Sequence, residues 1–222
     1  VQLPGATAVF RRHRLDFCCS GQSSLRQACA DRRVELQTVI DELATLQRSR
    51  ARPAAVAPSD LIDHILKRYH DVHRVQLPEL IRMARRVEAV HRDNPLTPAG
   101  LADALQAMEQ ELLAHMHKEE AVLFPMLRTG GNAFVPQPIA MMRLEHLEHG
   151  ETLERLAQLT DDMTAPAGAC NTWRALYTGL AQLRDDLIDH IHLENNVLFP
   201  QFEQPAGTQA CGGGGSGCGC SG

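Results

Sequence analysis

The sequence has little of what several classes of protein need. Its longest apolar runs are only a few residues long, so we expect no segment to cross a membrane. The chain opens without a charged and apolar leader, so export is not indicated. A formal net charge of −5 gives no reason to expect a nucleic-acid partner.

Cysteine is present, but not in the pattern of a disulfide framework. The seven cysteines are an odd number and are scattered along the chain, which fits a reducing, cytoplasmic setting better. Cys29 and Cys170 are interpreted as small core residues. Cys18 and Cys19 are adjacent, in a turn before a helix start, where the helix dipole lowers the pKa of a thiol. They are either incidental buried residues or candidates for redox or iron-handling chemistry.

The chain does contain a repeat. The stretch HMHKEEAVLFP, which begins at His115, recurs from His190 onward as HIHLENNVLFP, with seven of eleven positions identical. In each copy a His and a Glu lie four residues apart, His115 with Glu119 and His190 with Glu194. Four residues turn a helix by about 400°, so both side chains point the same way. Each copy therefore predicts a helix that offers a nitrogen and an oxygen to a metal ion.

Periodicity divides the chain into four parts. Residues 1–47 contain short helical segments, and residues 48–59 (RSRARPAAVAPS) form a linker without periodicity. Residues 60–203 carry four long amphipathic segments with short connections, which predicts an antiparallel up-down bundle. The Gly- and Cys-rich residues 204–222 cannot bury a core and are expected to be disordered. The predicted fold class is all-α, a four-helix bundle with a small N-terminal helical domain.

Local signals predict the ends and faces of the bundle helices. Pro78 is expected to kink the first helix, because it removes one backbone hydrogen bond. Thr97 is predicted to cap the second helix, with Pro98 at its first position. Unbroken helical spacing places Val122 and Val197 on the inward stripes of the second and fourth helices.

A weaker repeat relates the other two helices. His70 on the first helix has a counterpart in His146 on the third, and the residues behind them match at nearly the same spacing. Burying four imidazoles and two carboxylates without partners would cost several kcal/mol each, so the inward set predicts a dinuclear metal site. The predicted ligands are His70, His115, Glu119, His146, His190 and Glu194.

The donor set favours iron. No cysteine lies on the inward stripes, which disfavours a zinc site built on thiolates. Imidazole with carboxylate suits iron, and two carboxylates are the right number to bridge two ions. We expect two iron ions with an oxo or hydroxo bridge and one position open to a small molecule. Ferritin-like di-iron bundles instead use Glu-x-x-His pairs, whereas here the His precedes the Glu.

Other polar residues near these stripes remain to be assigned. His73 and His149 share the inward stripe, and they are either residues that support the ligands, an alternative ligand pair or core; we favour the first. Glu145, next to a predicted ligand, is a candidate to fix an imidazole tautomer by accepting its outer N–H. His117 and His192 lie about 200° round the helix from the ligand His, which predicts surface positions.

Five separated motifs resemble one known family. In chain order they read DFCCSG, RYHDVHRVQLPEL, HMHKEEAVLFPM, MMRLEHLEHGETL and HIHLENNVLFP. They are similar to the Repair of Iron Centers family, the ScdA, YtfE and DnrN group, over about residues 1–203. The resemblance implies a hemerythrin-like di-iron bundle with an appended cysteine-bearing domain. It also implies a cytoplasmic role in restoring iron–sulfur clusters damaged by nitric oxide or oxidants, by releasing iron.

The resemblance carries over to individual positions. The family's vicinal cysteines fall on Cys18 and Cys19. Its iron ligands and bridging carboxylates fall on the same positions that the spacing predicts, with Glu119 and Glu194 as bridges. This chain departs from the family pattern at His149, where a small residue is expected, and in its Gly- and Cys-rich tail, which has no counterpart.

Three functions fit these observations. The favoured one is an iron donor that repairs damaged clusters, which is not an enzyme. The alternatives are an enzyme that reduces nitric oxide or peroxide at the open iron position, and a hemerythrin-type binder or sensor of oxygen or nitric oxide, which leaves the cysteine domain without a role. Expected partners are apo or damaged iron–sulfur proteins, with nitric oxide or oxygen species as small ligands and neither nucleic acid nor membrane; a homodimer is compatible.

Overall fold

The computed structural model describes residues 6–13, 15, 24–48 and 57–203. Every regular element in these ranges is helical. The predicted fold class, an all-α bundle with a small N-terminal domain, is confirmed. None of the described helices is long and apolar enough to span a membrane.

The described residues of the N-terminal part form three short helices: α1 (Ala6–Arg12), α2 (Leu25–Asp31) and α3 (Leu36–Arg48). The side chain of Ser24 caps α2 by accepting a hydrogen bond from the backbone N–H of Gln27. The helices enclose a small apolar core that includes Cys29, as predicted. An ion pair between Arg32 and Glu154 connects this part to the bundle.

Four long helices follow, which we label α4 to α7. Helix α4 (58–90) runs from Pro58–Ile65 through a π turn to Asp71–Val90, and α5 (101–128) from Leu101–Lys118 through a π turn to Phe124–Arg128. Helix α6 is Pro136–Leu159. Helix α7 (171–201) is Asn171–Leu193, followed by a π turn and a short 3₁₀ turn. Parts of the predicted linker (49–56) and the whole tail (204–222) lie outside the described residues.

Two apolar clusters show how the bundle is wound. Helix α4 passes from the smaller cluster (residues 61–65) to the larger one (77–87), and α5 passes from the larger to the smaller. Helix α6 repeats the order of α4, and α7 that of α5. Alternation of this kind is what antiparallel neighbours produce. Between the two clusters every helix carries polar side chains into the interior, so the bundle has a buried polar layer with apolar packing above and below.

The π turns lie at this polar layer. They span Leu66–His70, Glu119–Leu123 and Glu194–Leu198, so each ends or begins at a predicted ligand. A π turn inserts one residue into the helix and is frequent at functional sites. Beyond each Glu the buried stripe therefore moves by one residue: Leu123 and Leu198 are buried, while Val197 is only partly buried and Val122 is 52% exposed. The prediction that Val122 faces inward is wrong for this reason.

Two other local predictions concern Pro78 and Thr97. Pro78 lies inside the continuous helical segment Asp71–Val90, where a kink stays a prediction, and α4 departs from α geometry at its π turn. Helix α5 is capped by Gly100, in the left-handed conformation with φ of 86°, and not by Thr97. The Thr97 hydroxyl instead donates to the backbone carbonyl of His91, which closes the end of α4.

Candidate metal centre

The structure brings the six predicted ligands together in the polar layer. They form two groups, and the donor atoms of each group lie within 4.8 Å of one another. The first group, which we call the first position, is His70, Glu119, His190 and Glu194. The second group, the second position, is His115, Glu119, His146 and Glu194. All six side chains are buried, and each is at most 1% exposed.

Two carboxylates belong to both positions. Glu119 places Oε2 3.3 Å from His70 Nε2 and Oε1 3.5 Å from His115 Nε2. Glu194 places Oε1 3.1 Å from His190 Nε2 and Oε2 3.1 Å from His146 Nε2. Each carboxylate therefore presents one oxygen to each position, which is the arrangement of a bridging ligand.

The outer nitrogens of three of the four histidines have acceptors. His70 Nδ1 lies 2.7 Å from Glu120, and His115 Nδ1 lies 2.9 Å from Glu145. His146 Nδ1 lies 3.0 Å from the side-chain oxygen of Asn195. Because these partners accept hydrogen bonds, Nδ1 carries the proton in each ring and Nε2 turns its lone pair inward.

The second position tests whether these residues fit a metal ion. His115 Nε2 and His146 Nε2 lie 3.1 Å apart, and each ring donates its N–H from Nδ1 to the outer acceptor, which leaves Nε2 without a proton. Two inward lone pairs at this distance repel each other unless a cation lies against both. Within the described residues, neither oxygen of Glu119 has a hydrogen-bond donor either. The residues therefore fit a buried cation that takes nitrogen and oxygen ligands.

The charges of the groups point the same way. Burial, with a contribution from the neighbouring His190, lowers the pKa of His70 to about 4, and burial lowers that of His115 further still. Burial and the charge of Glu194 raise the pKa of Glu119 well above its ordinary value. Burial also disfavours ionised Glu194, but His190 and His146 outweigh it and hold its pKa well below the ordinary value. Neutral imidazoles beside carboxylates are what a buried cation requires.

Three further residues were predicted near the ligands. His73 and His149 are buried, and their rings lie 5.6 Å from the His190 ring and 4.9 Å from the His115 ring, respectively. Neither forms a hydrogen bond with a described residue, and neither belongs to a donor group. The Glu145 carboxylate contacts His115, a predicted ligand on the neighbouring helix.

Sequence reasoning missed Glu120 and Asn195. Each follows a shared glutamate, so the two residues occupy equivalent places in the two copies of the repeat. Each accepts a hydrogen bond from a ligand histidine on another helix. Their equivalent positions in the repeat could have indicated a shared role, but Glu and Asn differ in type and the repeat does not mark them as conserved between the two copies.

Of the remaining histidine and cysteine predictions, some are confirmed and others are wrong. His117 is exposed as predicted, but His192 is only 9% exposed, because α7 is buried on more than one face. Cys170 is exposed, so its assignment to the core is wrong. It lies at the start of α7, where a hydrogen bond from His91 at 3.2 Å lowers the pKa of its thiol. The adjacent Cys18 and Cys19 lie outside the described residues.

Comparison with known proteins adds independent information. The family model described as Hemerythrin HHE cation binding domain matches residues 61–202, and the model ScdA_N, described as a domain of unknown function, matches residues 1–47. The iron-sulfur cluster repair protein YtfE of Cronobacter sakazakii is 47% identical over 201 residues, covering 90% of this chain and 91% of the relative. Proteins of the same name from Dickeya chrysanthemi (47%) and Shigella boydii (45%) each match over 90% of this chain and 92% of the relative. The family resemblance read from the motifs is thereby confirmed: the chain belongs to the family of YtfE iron–sulfur cluster repair proteins and carries a hemerythrin-type cation-binding bundle.

Proposed function

We propose that this protein holds two iron ions and repairs damaged iron–sulfur clusters by donating iron. The observation that carries the proposal is the pair of buried carboxylates. Each carboxylate directs one oxygen to a histidine of the first position and its other oxygen to a histidine of the second position. Relatives that match over 90% of this chain are named for iron–sulfur cluster repair, which supports the biological role. The apo or damaged cluster proteins are the proposed partners, and the cytoplasm is the proposed site of action.

The donor set supports iron as the metal. Each position offers two imidazole nitrogens and two carboxylate oxygens, and no described cysteine lies among them. Such ligands suit iron better than thiolate-preferring ions. An oxide or hydroxide is the proposed further bridge, and the iron supplies a site for nitric oxide or an oxygen species.

The chain's own residues hold the iron and limit water access. Glu120, Glu145 and Asn195 orient three imidazoles, and the two apolar clusters cover the polar layer on both sides. Two of these acceptors are tied to surface cations, Glu120 to Arg74 and Glu145 to Lys118. When no cation is present, burial and the charge of Glu194 raise the pKa of Glu119 and so favour its protonated form, which lowers the buried charge of the site.

The N-terminal part is proposed to act in transfer. Cys18 and Cys19 are its candidates for redox control or for passing iron to a client. The double variant Cys18→Ser with Cys19→Ser should keep a near-normal iron content and repair clusters poorly. A double variant that binds no iron would contradict this division of roles.

The fate of iron tests the function. The iron-loaded protein is mixed anaerobically with an apo iron–sulfur protein, and iron in both proteins is measured against cluster recovery. Donation predicts that iron lost from this protein matches iron gained by the client. Many turnovers of nitric oxide or peroxide with a reductant present and no iron loss would instead identify an enzyme. Reversible binding of oxygen or nitric oxide without either result would identify a binder or sensor.

A further inference from the structure

The internal repeat allows the surroundings of the four ligand histidines to be compared place by place. His70 corresponds to His146, and His115 corresponds to His190. In the first of these pairs the outer contacts agree. His70 Nδ1 reaches Glu120 at 2.7 Å and His146 Nδ1 reaches Asn195 at 3.0 Å, and these acceptors are equivalent residues.

In the second pair the outer contacts differ. His115 Nδ1 donates to Glu145, the residue before His146, at 2.9 Å. The equivalent residue before His70 is Tyr69, and its ring stacks on His190 with 5.3 Å between centroids and 4° between planes. Among the described residues, His190 Nδ1 has no hydrogen-bond partner although it is buried. The face of the Tyr69 ring therefore lies where the other copy of the repeat has the carboxylate acceptor Glu145.

The two positions therefore differ in the support that their histidines receive. At the second position both imidazoles have an outer acceptor, Glu145 and Asn195. At the first position one imidazole has Glu120 and the other has none in the described part of the chain. The outer acceptor fixes the ring and raises the basicity of the inner nitrogen, and its loss typically costs about 10- to 100-fold in metal affinity.

We infer that the two positions are unequal, and that the first position, made by His70 and His190, is the one from which iron leaves. Its ion is bound more weakly than that of the second position, by about 10- to 100-fold. The second ion then stays behind with Glu119 and Glu194 as its carboxylate ligands. This inference rests on the proposed function, since it assumes two irons and their release.

Release kinetics test the inequality. Protein loaded anaerobically with two iron(II) ions is mixed in a stopped-flow instrument with an excess of an iron(II) chelator that absorbs when it binds iron. We expect two phases of one iron each, with rates that differ by about 10- to 100-fold. Two irons that leave in one phase would overturn the inference while leaving the proposed function intact. A protein that binds fewer than two irons would instead contradict the proposed function.

A matched pair of variants assigns the phases. Glu120→Ala and Glu145→Ala each remove one carboxylate acceptor, at the first and second positions respectively, and each leaves a surface cation behind. Glu120→Ala should accelerate the fast phase only, and Glu145→Ala the slow phase only. The opposite assignment would overturn the inference.

A second set of variants covers the case in which those proteins fail to fold. Tyr69→Glu supplies the missing acceptor and should slow the fast phase, whereas Tyr69→Phe keeps the stacked ring and should leave it unchanged. Asn195→Leu should accelerate the slow phase, and Asn195→Asp, which still accepts the hydrogen bond, should not. A fast phase that responds to the Asn195 variants would overturn the assignment.

Discussion

The two helix pairs, α4 with α5 and α6 with α7, present the same inner donors but differ in what surrounds them. Each pair contributes two imidazoles and one shared carboxylate. Around these donors, Tyr69 in the first pair corresponds to Glu145 in the second, and Glu120 to Asn195. Helix α4 also has a π turn ending at His70, and α6 has none at His146. The comparison shows that the atoms facing the metal are repeated while the contacts that tune them are not.

The largest expected effect tests the part that is repeated. Glu119→Ala and Glu194→Ala should each lose the bridged pair, because one carboxylate cannot hold both ions together. Iron content should fall from two ions per chain to one or fewer, as measured by metal analysis with spectroscopy. The control Glu111→Ala, at an exposed place on the same helix as Glu119, should keep both ions. Two interacting irons in both bridge variants would refute the ligand set.

The sequence could predict the inner donors because helical geometry fixes them. A His and a Glu four residues apart share a helix face, and the repeat ties the corresponding faces of the two helix pairs together. The structure duly places these six side chains in one layer. Their outer partners depend on how neighbouring helices are rotated against each other, which spacing on a single helix does not determine. Glu120 and Asn195 therefore escaped prediction.

The errors in the predicted fold have a related origin. Nothing in the residue types signals a π turn, so the insertion after Glu119 and its effect on Val122 were not foreseen. His192 was placed at the surface because it points away from the ligands, yet α7 is buried on that side too. Cys170 was assigned to the core by its type alone, although it lies at an exposed helix start. Periodicity describes one face of a helix and not the packing of the others.

The second largest effect is a loss of several kcal/mol in the free energy of unfolding of the metal-free protein as the pH falls. It involves His70 in the first helix pair and His149 in the second. Burial lowers the pKa of His70 to about 4 and that of His149 to about 3, from an ordinary value of 6.5. Below pH 6.5 the unfolded chain binds protons that the folded chain does not, so the free energy of unfolding falls as the pH falls. Each histidine contributes about 1.4 kcal/mol per pH unit, from pH 6.5 down to its folded pKa.

Denaturant unfolding at a series of pH values measures this loss. His149→Leu should reduce the slope of the unfolding free energy against pH, between pH 6.5 and about 3, by the contribution of one histidine, about 1.4 kcal/mol per pH unit. The metal-loaded protein should lose stability at least as steeply as the metal-free one and should continue to lose it below pH 4, because bound metal keeps the ligand imidazoles neutral in the folded state while the unfolded chain takes up protons. A metal-free protein whose stability is constant from pH 6.5 to 4 would contradict the neutral, buried state of these side chains.

The smallest effect concerns the equivalent residues His73 and His149. Each buries an imidazole without a hydrogen bond to any described residue. His73→Leu and His149→Leu should each raise the free energy of unfolding of the metal-free protein, by about 1–3 kcal/mol, since an unsatisfied polar group is removed. Both variants should retain two irons. If either variant loses an iron, that histidine is a ligand and the two positions differ in their inner donors as well.

The most direct test of the bridged centre is iron analysis combined with Mössbauer spectroscopy of protein loaded anaerobically with ⁵⁷Fe. Two shared carboxylates predict two irons per chain that are magnetically coupled to each other. Unequal surroundings further predict two distinguishable iron signals of equal area. A single iron per chain, or two irons that are magnetically independent, would contradict the account.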